Sequence, residues 1–347
     1  MNFIFRLDSS SSIGSGHVYR CIKLAEQLSK NQNKVSFVAQ SLKGNINLLI
    51  KKKYRLDFVK KNKNFRIKKN HYIEWSKKEQ IDDANKTLKI TKKLNAKFVI
   101  VDHYGLSHHW HKILKKHLIV IAIDDFLNKK FLSDIYINYQ SISKKKLKLN
   151  NILNKNCKIL LGPKYALLSK IKQKNKKKTS KKNILIYFGN VDRADMTKKI
   201  VNLMSNIRIY YKFFVIIGKN NKSKNDLLKI GKKSKNFFFT TKVYKNLNDF
   251  YEKCFSAITG TGVTLYELIQ NKRNIISIYS NKYQKKLVEN LEKEKICKVF
   301  NINQINNRDI QDFISEKKRK RSHKKNYFDG LGPYRIYQLI KKLNNNS

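Results

Sequence analysis

The chain is poor in cysteine, poor in acidic residues and without a long apolar run. Its four cysteines, Cys21, Cys157, Cys254 and Cys297, are far apart and form no CxxC pair. That spacing argues against a zinc site or a disulfide framework and fits a reducing compartment. No apolar stretch approaches the length that spans a bilayer, and the opening MNFIFRLDSS holds none long enough for a signal peptide. A soluble, cytoplasmic protein without membrane insertion is expected. The acidic deficit is the larger anomaly: 24 Asp and Glu stand against 77 Lys and Arg, a formal charge of +53. Such an excess ordinarily points to nucleic acid or an anionic surface. Here the lysines are spread along the whole chain among abundant asparagine and isoleucine, which reads as compositional drift rather than a patch. No RNP, KH, zinc-finger or helix-turn-helix pattern accompanies them, so no specific nucleic-acid partner is expected. A positive field would favour capture of a diphosphate-bearing substrate.

What is present is apolar material for two cores: 347 residues, 41% of them hydrophobic, suit two domains of about 150 to 170 residues each. In the first half, short apolar strands alternate with helical segments. Phe3–Leu7 runs into Asp8, and Val18–Ser29 places Ile22, Leu24, Ala25 and Leu28 at helical spacing. Lys34–Ala39, Phe98–Val101 and Leu118–Ile123 are further strands, the last two running into Asp102 and Asp124-Asp125. The segment Lys170–Lys182 has almost no apolar content and reads as a linker or exposed loop. The pattern then restarts with Asn183–Phe188, Phe213–Ile217, Phe237–Thr240, Ala257–Thr259 and Asn274–Ile278, and a final helix is predicted over Tyr334–Leu343. Strands this apolar, alternating with helices, predict two doubly wound α/β domains of Rossmann-like type facing across a cleft. The domains are placed at 1–169 and 183–347, with 170–182 between them. Ligands of such sheets bind beyond the carboxyl ends of the strands, where three loops stand out.

The first loop holds Asp8, Gly14, Gly16, His17 and Arg20. Its glycines permit close approach of backbone to ligand, and the following helix points free N–H groups forward. A histidine at that end of a helix dipole is favoured as the neutral imidazole that a general base requires. The bland reading is a phosphate-binding loop whose histidine only packs. The second is Asp102-His103-Tyr104-Gly105, together with Asp124-Asp125. These carboxylates suit orienting a histidine, binding sugar hydroxyls, or capping helices. His108, His109, His111 and His117 lie nearby, with no HExxH pattern and no cysteine partner, and read as surface decoration rather than a metal site. The third loop, Gly260-Thr261-Gly262-Val-Thr264-Leu-Tyr-Glu267, joins a strand to a helix. It suits a diphosphate on backbone N–H groups and ribose hydroxyls on Glu267, or else a capping box of Thr264 and Glu267.

The opening FRLDSSSSIGSGHVYRC resembles that of the UDP-sugar hydrolases of the pseudaminic acid pathway, which carry an RxDSSxxIGxGHxxRC-type motif. VDHYG (Val101–Gly105), Asp124-Asp125, LGPKYALL (Leu161–Leu168), TGTGVTLYE and DGLGPYRI (Asp329–Ile336) match in the same order across almost the whole chain. The resemblance implies a GT-B-like fold, similar to the glycosyltransferases that attach GlcNAc to lipid-linked peptidoglycan precursor. It implies hydrolysis of UDP-2,4-diacetamido-2,4,6-trideoxy-β-L-altropyranose at the anomeric carbon, with neither metal nor cofactor. His17 maps onto the family's base, and Thr264 and Glu267 onto the loop that holds diphosphate and ribose. Asp102 and Tyr104 fall in the sugar-side motif, and Tyr165 lies within LGPKYALL. The chain departs from the pattern in three places. A Gly-Gly-x-Asp turn is replaced by Gly189-Asn190-Val-Asp, a mild change because asparagine tolerates left-handed backbone. The adjacent Asn-Gln of the family becomes Asn281-Lys-Tyr-Gln284, and Ser169 stands where arginine is common. A related UDP-sugar therefore also fits. The rival enzyme reading is a glycosyltransferase of the same architecture; the others are a nonspecific nucleic-acid binder and a non-catalytic nucleotide-sugar binder. A monomer is expected.

Overall fold

The computed structural model describes residues 1–60, 74–140, 152–171, 180–205, 210–218, 221–241, 247–315 and 327–345. They form two compact units: Met1–Ser169 with Gly330–Ser347, and Lys170–Asp329.

In the first unit the chain alternates β1 (Asn2–Leu7), α1 (Gly16–Ser29), β2 (Lys34–Ala39), α2 (Asn47–Lys51) and β3 (Arg55–Phe58). It continues through α3 (Lys77–Lys93), β4 (Phe98–Asp102), α4 (His108–Leu114), β5 (Ile119–Ile123), β6 (Ile135–Asn138) and β7 (Lys158–Leu161). All seven strands are parallel, in the order β3-β2-β1-β4-β5-β6-β7. The near-continuous apolar runs that predicted β1, β4 and β5 are buried on both faces: Phe3, Ile4, Phe5, Val99, Ile100, Val120 and Ile121 are all sealed from solvent. β3, β6 and β7 were not foreseen from the sequence. The chain order reverses between β1 and β4, the switch point beyond whose strand ends such sheets bind ligands. Leu7 pairs with Asp102 there, so the loops that begin at Asp8 and His103 start level with one another.

The second unit repeats the scheme with β8 (Ser180–Tyr187), α5 (Met196–Ser205), β9 (Lys212–Ile216), α6 (Lys224–Lys233), β10 (Phe237–Thr240) and α7 (Asn248–Lys253). Then come β11 (Cys254–Thr259), α8 (Val263–Gln270), β12 (Asn274–Tyr279), α9 (Lys282–Lys293), β13 (Lys298–Asn301) and α10 (Asn307–Ser315). Its parallel order is β10-β9-β8-β11-β12-β13, which places a second switch point between β8 and β11. Tyr187 pairs with Thr259 at that point, so Gly189-Asn190 and Gly260–Gly262 leave adjacent strand ends.

Two expectations need correction. The segment read as a linker over 170–182 already enters β8 at Ser180, because backbone pairing of Ser180 with Cys254 needs no apolar side chain; its residues 172–179 lie outside the described ones. The last helix, α11 (Gly332–Asn345), was assigned to the second half but belongs to the first unit. Its buried face, Pro333, Ile336, Tyr337 and Ile340, packs on α1 and on the Pro163–Tyr165 turn, and Arg335 Nη1 donates to the Lys164 carbonyl at 2.8 Å.

Candidate functional site

The loop after β1 is shaped from within. Ser10 Oγ accepts the amides of Ser12 and Ile13 at 3.1 and 2.8 Å, and Gly14 turns with φ +89°. α1 then starts at Gly16 behind Ser15, with no side-chain cap on its first N–H groups. A Cβ at Gly16 would meet no atom within 4 Å, and no positive φ is required there. What glycine supplies at this position is bare backbone at a helix N-terminus.

His17, one residue further, is only 5% exposed. Its Nδ1 lies 2.6 Å from Asp102 Oδ1 at the end of β4. An ionised carboxylate can only accept, so in the neutral imidazole Nδ1 carries the proton and Nε2 keeps its lone pair. Among the described residues Nε2 has no hydrogen-bond partner. The setting favours the Asp102 carboxylate: burial alone would raise its pKa, but the Arg20 guanidinium, and then His17, hold it far below the carboxylate range. The Tyr104 ring stands edge-on to the imidazole, centroids 4.5 Å apart, and its hydroxyl donates to Asp125 Oδ2 at 2.5 Å. A buried lysine fixes that loop: Lys129 Nζ donates to the carbonyls of His103, Tyr104 and Leu106 at 3.3, 2.7 and 2.8 Å. Burial pushes the Lys129 pKa down, opposed by Asp124, Glu74, Asp102 and Asp125.

Several residues expected to touch substrate are instead turned inward. Asp8 is sealed from solvent; it pairs with Arg6, accepts the Gln40 amide and lies 3.1 Å from His103 Nε2. Since His103 Nδ1 accepts the Gly105 amide at 3.0 Å, Nε2 is the protonated nitrogen, and both ring nitrogens are used in joining β1 to β4. Arg20, 4% exposed, spends its donors on Asp102, Asp125 and the Tyr139 hydroxyl. Asp102 is shared between His17, Arg20 and the Cys21 thiol. Asp124 Oδ2 ties the turn after β5, accepting the amides of Phe126 and Leu127 and the hydroxyl of Tyr136. The switch point of the first unit therefore presents the uncapped α1 terminus, His17 and Tyr104, backed by a buried ionic layer. Tyr165 is half-buried in the Pro163–Tyr165 turn, with Lys164 Nζ 5.1 Å over its ring.

In the second unit, α8 starts behind Gly262, so Thr264 lies inside the helix and forms no capping box with Glu267. Gly262 is exposed, Thr261 is buried, and Thr264 and Glu267 are half-buried. The Ser277 hydroxyl donates to the Gly260 carbonyl at 3.3 Å, and the buried Tyr251 hydroxyl donates to Glu267 Oε2 at 2.6 Å. Across the switch point, Gly189 turns with φ +87° and Tyr187 donates to Asn190 Oδ1 at 3.3 Å. Asp192, also at positive φ, closes that turn by accepting the amides of Met196 and Thr197 at the start of α5. Asn281 and Gln284 serve α9: Asn281 Oδ1 caps it through the amides of Tyr283 and Gln284, and Gln284 Oε1 accepts the Ser280 amide. Both side-chain oxygens expected at a sugar are thus committed to a helix end.

Sequence reasoning missed Asp83, Tyr139, Lys129 and Tyr251, each isolated in sequence from the motif it supports. The reading of the histidine group as surface decoration fails for His111, which is fully buried with Nδ1 accepting the Leu132 amide at 3.1 Å. Burial, then Lys129, push its pKa far below the usual value. Among the described residues, no group of three or more His, Cys, Asp or Glu is arranged to hold a metal, and no helix is long and apolar enough to cross a membrane.

No protein-family model matches the sequence. The chain is 28% identical over 306 residues to an uncharacterized protein of Methanocaldococcus jannaschii, covering 83% of this chain and 57% of that protein. It thus spans little more than half of that relative's length. It is 26% identical over 213 residues to the UDP-2,4-diacetamido-2,4,6-trideoxy-beta-L-altropyranose hydrolase of Campylobacter jejuni, covering 60% of this chain and 68% of that enzyme. In structure it is similar to MurG of Acinetobacter baumannii, with a TM-score of 0.66 at 11% identity over 99% of this chain and 100% of that one. Both units carry the parallel-sheet topology of GT-B glycosyltransferases.

Proposed function

We propose that this protein hydrolyses a UDP-sugar of the 2,4-diacetamido-2,4,6-trideoxy-β-L-altropyranose type to UDP and the free sugar. The observation that carries the reading is the His17–Asp102 pair: a 2.6 Å bond fixes the tautomer that leaves Nε2 as a proton acceptor beside an uncapped helix N-terminus. The similarity to the Campylobacter hydrolase supports the substrate class. In the reaction, Nε2 takes a proton from water as the water oxygen forms its bond to the anomeric carbon. The bond from that carbon to the diphosphate oxygen breaks on the opposite face, and its electron pair leaves with UDP. Asp102 stabilises the imidazolium without taking its proton. In the second unit, the N–H groups at the start of α8 suit the charge that develops on the diphosphate, and Glu267 suits the ribose.

The GT-B topology itself favours a second reading, a glycosyltransferase that passes the sugar to an acceptor. One experiment separates the two: UDP release from the altropyranose donor, without acceptor or metal, by wild type and His17→Ala. Hydrolysis requires release by wild type alone, with a loss of about a hundredfold to ten-thousandfold in the variant and unchanged UDP affinity. Release only when an acceptor is added establishes the transferase instead. Near-normal turnover by His17→Ala removes His17 as the base.

A further inference from the structure

We infer that Arg20 is a positioning residue that sets the proton balance of His17 by locking Asp102 and Asp125 into one buried charge cluster. The inference rests on the proposed role of His17 as base and names the group that makes the role workable. The guanidinium grips Asp102 with a two-pronged fork, Nε to Oδ2 at 2.6 Å and Nη2 to Oδ1 at 2.5 Å. Its remaining nitrogen, Nη1, lies 2.9 Å from both oxygens of Asp125 and 2.8 Å from the Tyr139 hydroxyl. Asp102 holds His17, and Asp125 accepts from Tyr104. One cation therefore fixes both rings that meet edge-on at the site. Only arginine offers a planar fork plus a third donor direction; a lysine ammonium would satisfy one carboxylate at a time.

The charges around the imidazole can be counted element by element. From α1 come Arg20 and the neutral Cys21 thiol, whose pKa burial holds far above the ordinary value. β4 contributes Asp102, the loop after it the Tyr104 hydroxyl, and the ends of β5 and β6 contribute Asp125 and the Tyr139 hydroxyl. Behind these lie Lys129 and Asp124, which offset each other, and the separate Arg6–Asp8–Asp83 cluster against His103. The inner shell thus holds two carboxylates and one guanidinium, short of balance by one positive charge. An imidazolium supplies it, so proton uptake from water leaves the layer balanced. Without Arg20 the shortfall is two, which favours the imidazolium more strongly than the intact cluster does.

The test is an NMR titration of the His17 imidazole in the full chain, its signal assigned by loss in His17→Gln, for wild type, Arg20→Gln and Asp125→Asn. Arg20→Gln should move the titration midpoint up by about one pH unit or more, and Asp125→Asn should move it down. The acid limb of the pH–rate profile for UDP release should follow in the same directions, with Arg20→Lys restoring part of the Arg20→Gln shift. A purely structural role predicts lower activity at every pH with the midpoint unmoved, which overturns the inference. If Arg20→Gln does not fold, an unmoved midpoint in Asp125→Asn has the same consequence. The titration needs no substrate, so absence of hydrolysis by wild type would remove the proposed function and still leave the role of Arg20 decided.

Discussion

Gly332 meets the backbone of Ala166 so closely that a Cβ added there would lie 2.1 Å from the Ala166 carbonyl oxygen and 2.6 Å from the Tyr165 carbonyl carbon. This contact joins the DGLGPYRI and LGPKYALL segments and holds α11 on the first unit. Because the obstacle is backbone on both sides, the strain cannot be relieved by a side-chain rotation. Gly332→Ala should therefore destabilise the first unit by about 1 to 3 kcal/mol, read as a lower urea midpoint of the tryptophan signal. Both tryptophans, Trp75 and Trp110, lie in that unit, so their fluorescence reports on it alone. An unchanged midpoint would show that α11 does not depend on this approach.

Gly16→Ala should behave in the opposite way. The added methyl group meets no atom within 4 Å outside its own turn of chain, and alanine is the better helix former. Stability should hold or rise slightly. A helical Cβ does, however, tilt toward the N-terminal end of α1, and a displacement of about 1 Å at a reacting centre costs on the order of a hundredfold in rate. Retained stability with strongly reduced UDP release is the expected pair of results. Full activity would mean that substrate does not approach this terminus.

Tyr251→Phe tests the second unit. The lost hydroxyl holds Glu267 Oε2 at 2.6 Å, a bond worth about 1 kcal/mol net, more where a charged partner is left behind. If Glu267 holds ribose, looser placement should weaken UDP binding about fivefold or more by calorimetry. The first unit's tryptophan unfolding should not move. UDP affinity equal to wild type would count against Glu267 as the ribose ligand.

How much of this was legible in the sequence depended on where the information sat. Strands buried on both faces, such as Phe98–Asp102 and Ile119–Ile123, announce themselves as apolar runs, and the three loops follow directly from their ends. α3 was invisible for the converse reason. Its buried face is Gln80, Asp83, Ala84, Thr87 and Thr91, largely polar side chains that an apolar periodicity cannot detect. They are tolerated inside because Asp83 meets Arg6 and the Trp110 indole, and Gln80 meets Ser107. The same long-range pairing hid the true duties of the motif residues. Asp8, Arg20 and Asp102 read as ligands because they stand in loop motifs, yet apart from the Arg6–Asp8 pair the partners named above lie 32 to 119 residues away. The capping use of Asn281 and Gln284 was local and could have been read from their spacing of three.

The buried histidines and carboxylates make acid stability the broadest check on the first unit. His103 and His111 have pKa values lowered in the folded state, in each case by burial first. A depressed basic group contributes stability above its unfolded value of about 6.5 and loses it as pH falls below that value, because the unfolded chain takes up the proton more readily. Asp8 and Asp102 are held far below the carboxylate range: burial opposes this, but Arg6 on Asp8 and Arg20 on Asp102 outweigh it. Their contribution is present above the unfolded value of about 3.9 and is lost as pH falls from there toward the folded values. Unfolding free energy followed by tryptophan fluorescence should thus be level from pH 8 to about 7. It should decline from about 6.5 by up to about 1.4 kcal/mol per pH unit for each histidine, and steepen below about 4 as the carboxylates join. A profile level from pH 8 to 4 would mean that the two imidazoles accept protons in the folded unit as easily as in the unfolded chain. That cannot hold while His103 Nδ1 receives the Gly105 amide and His111 Nδ1 that of Leu132.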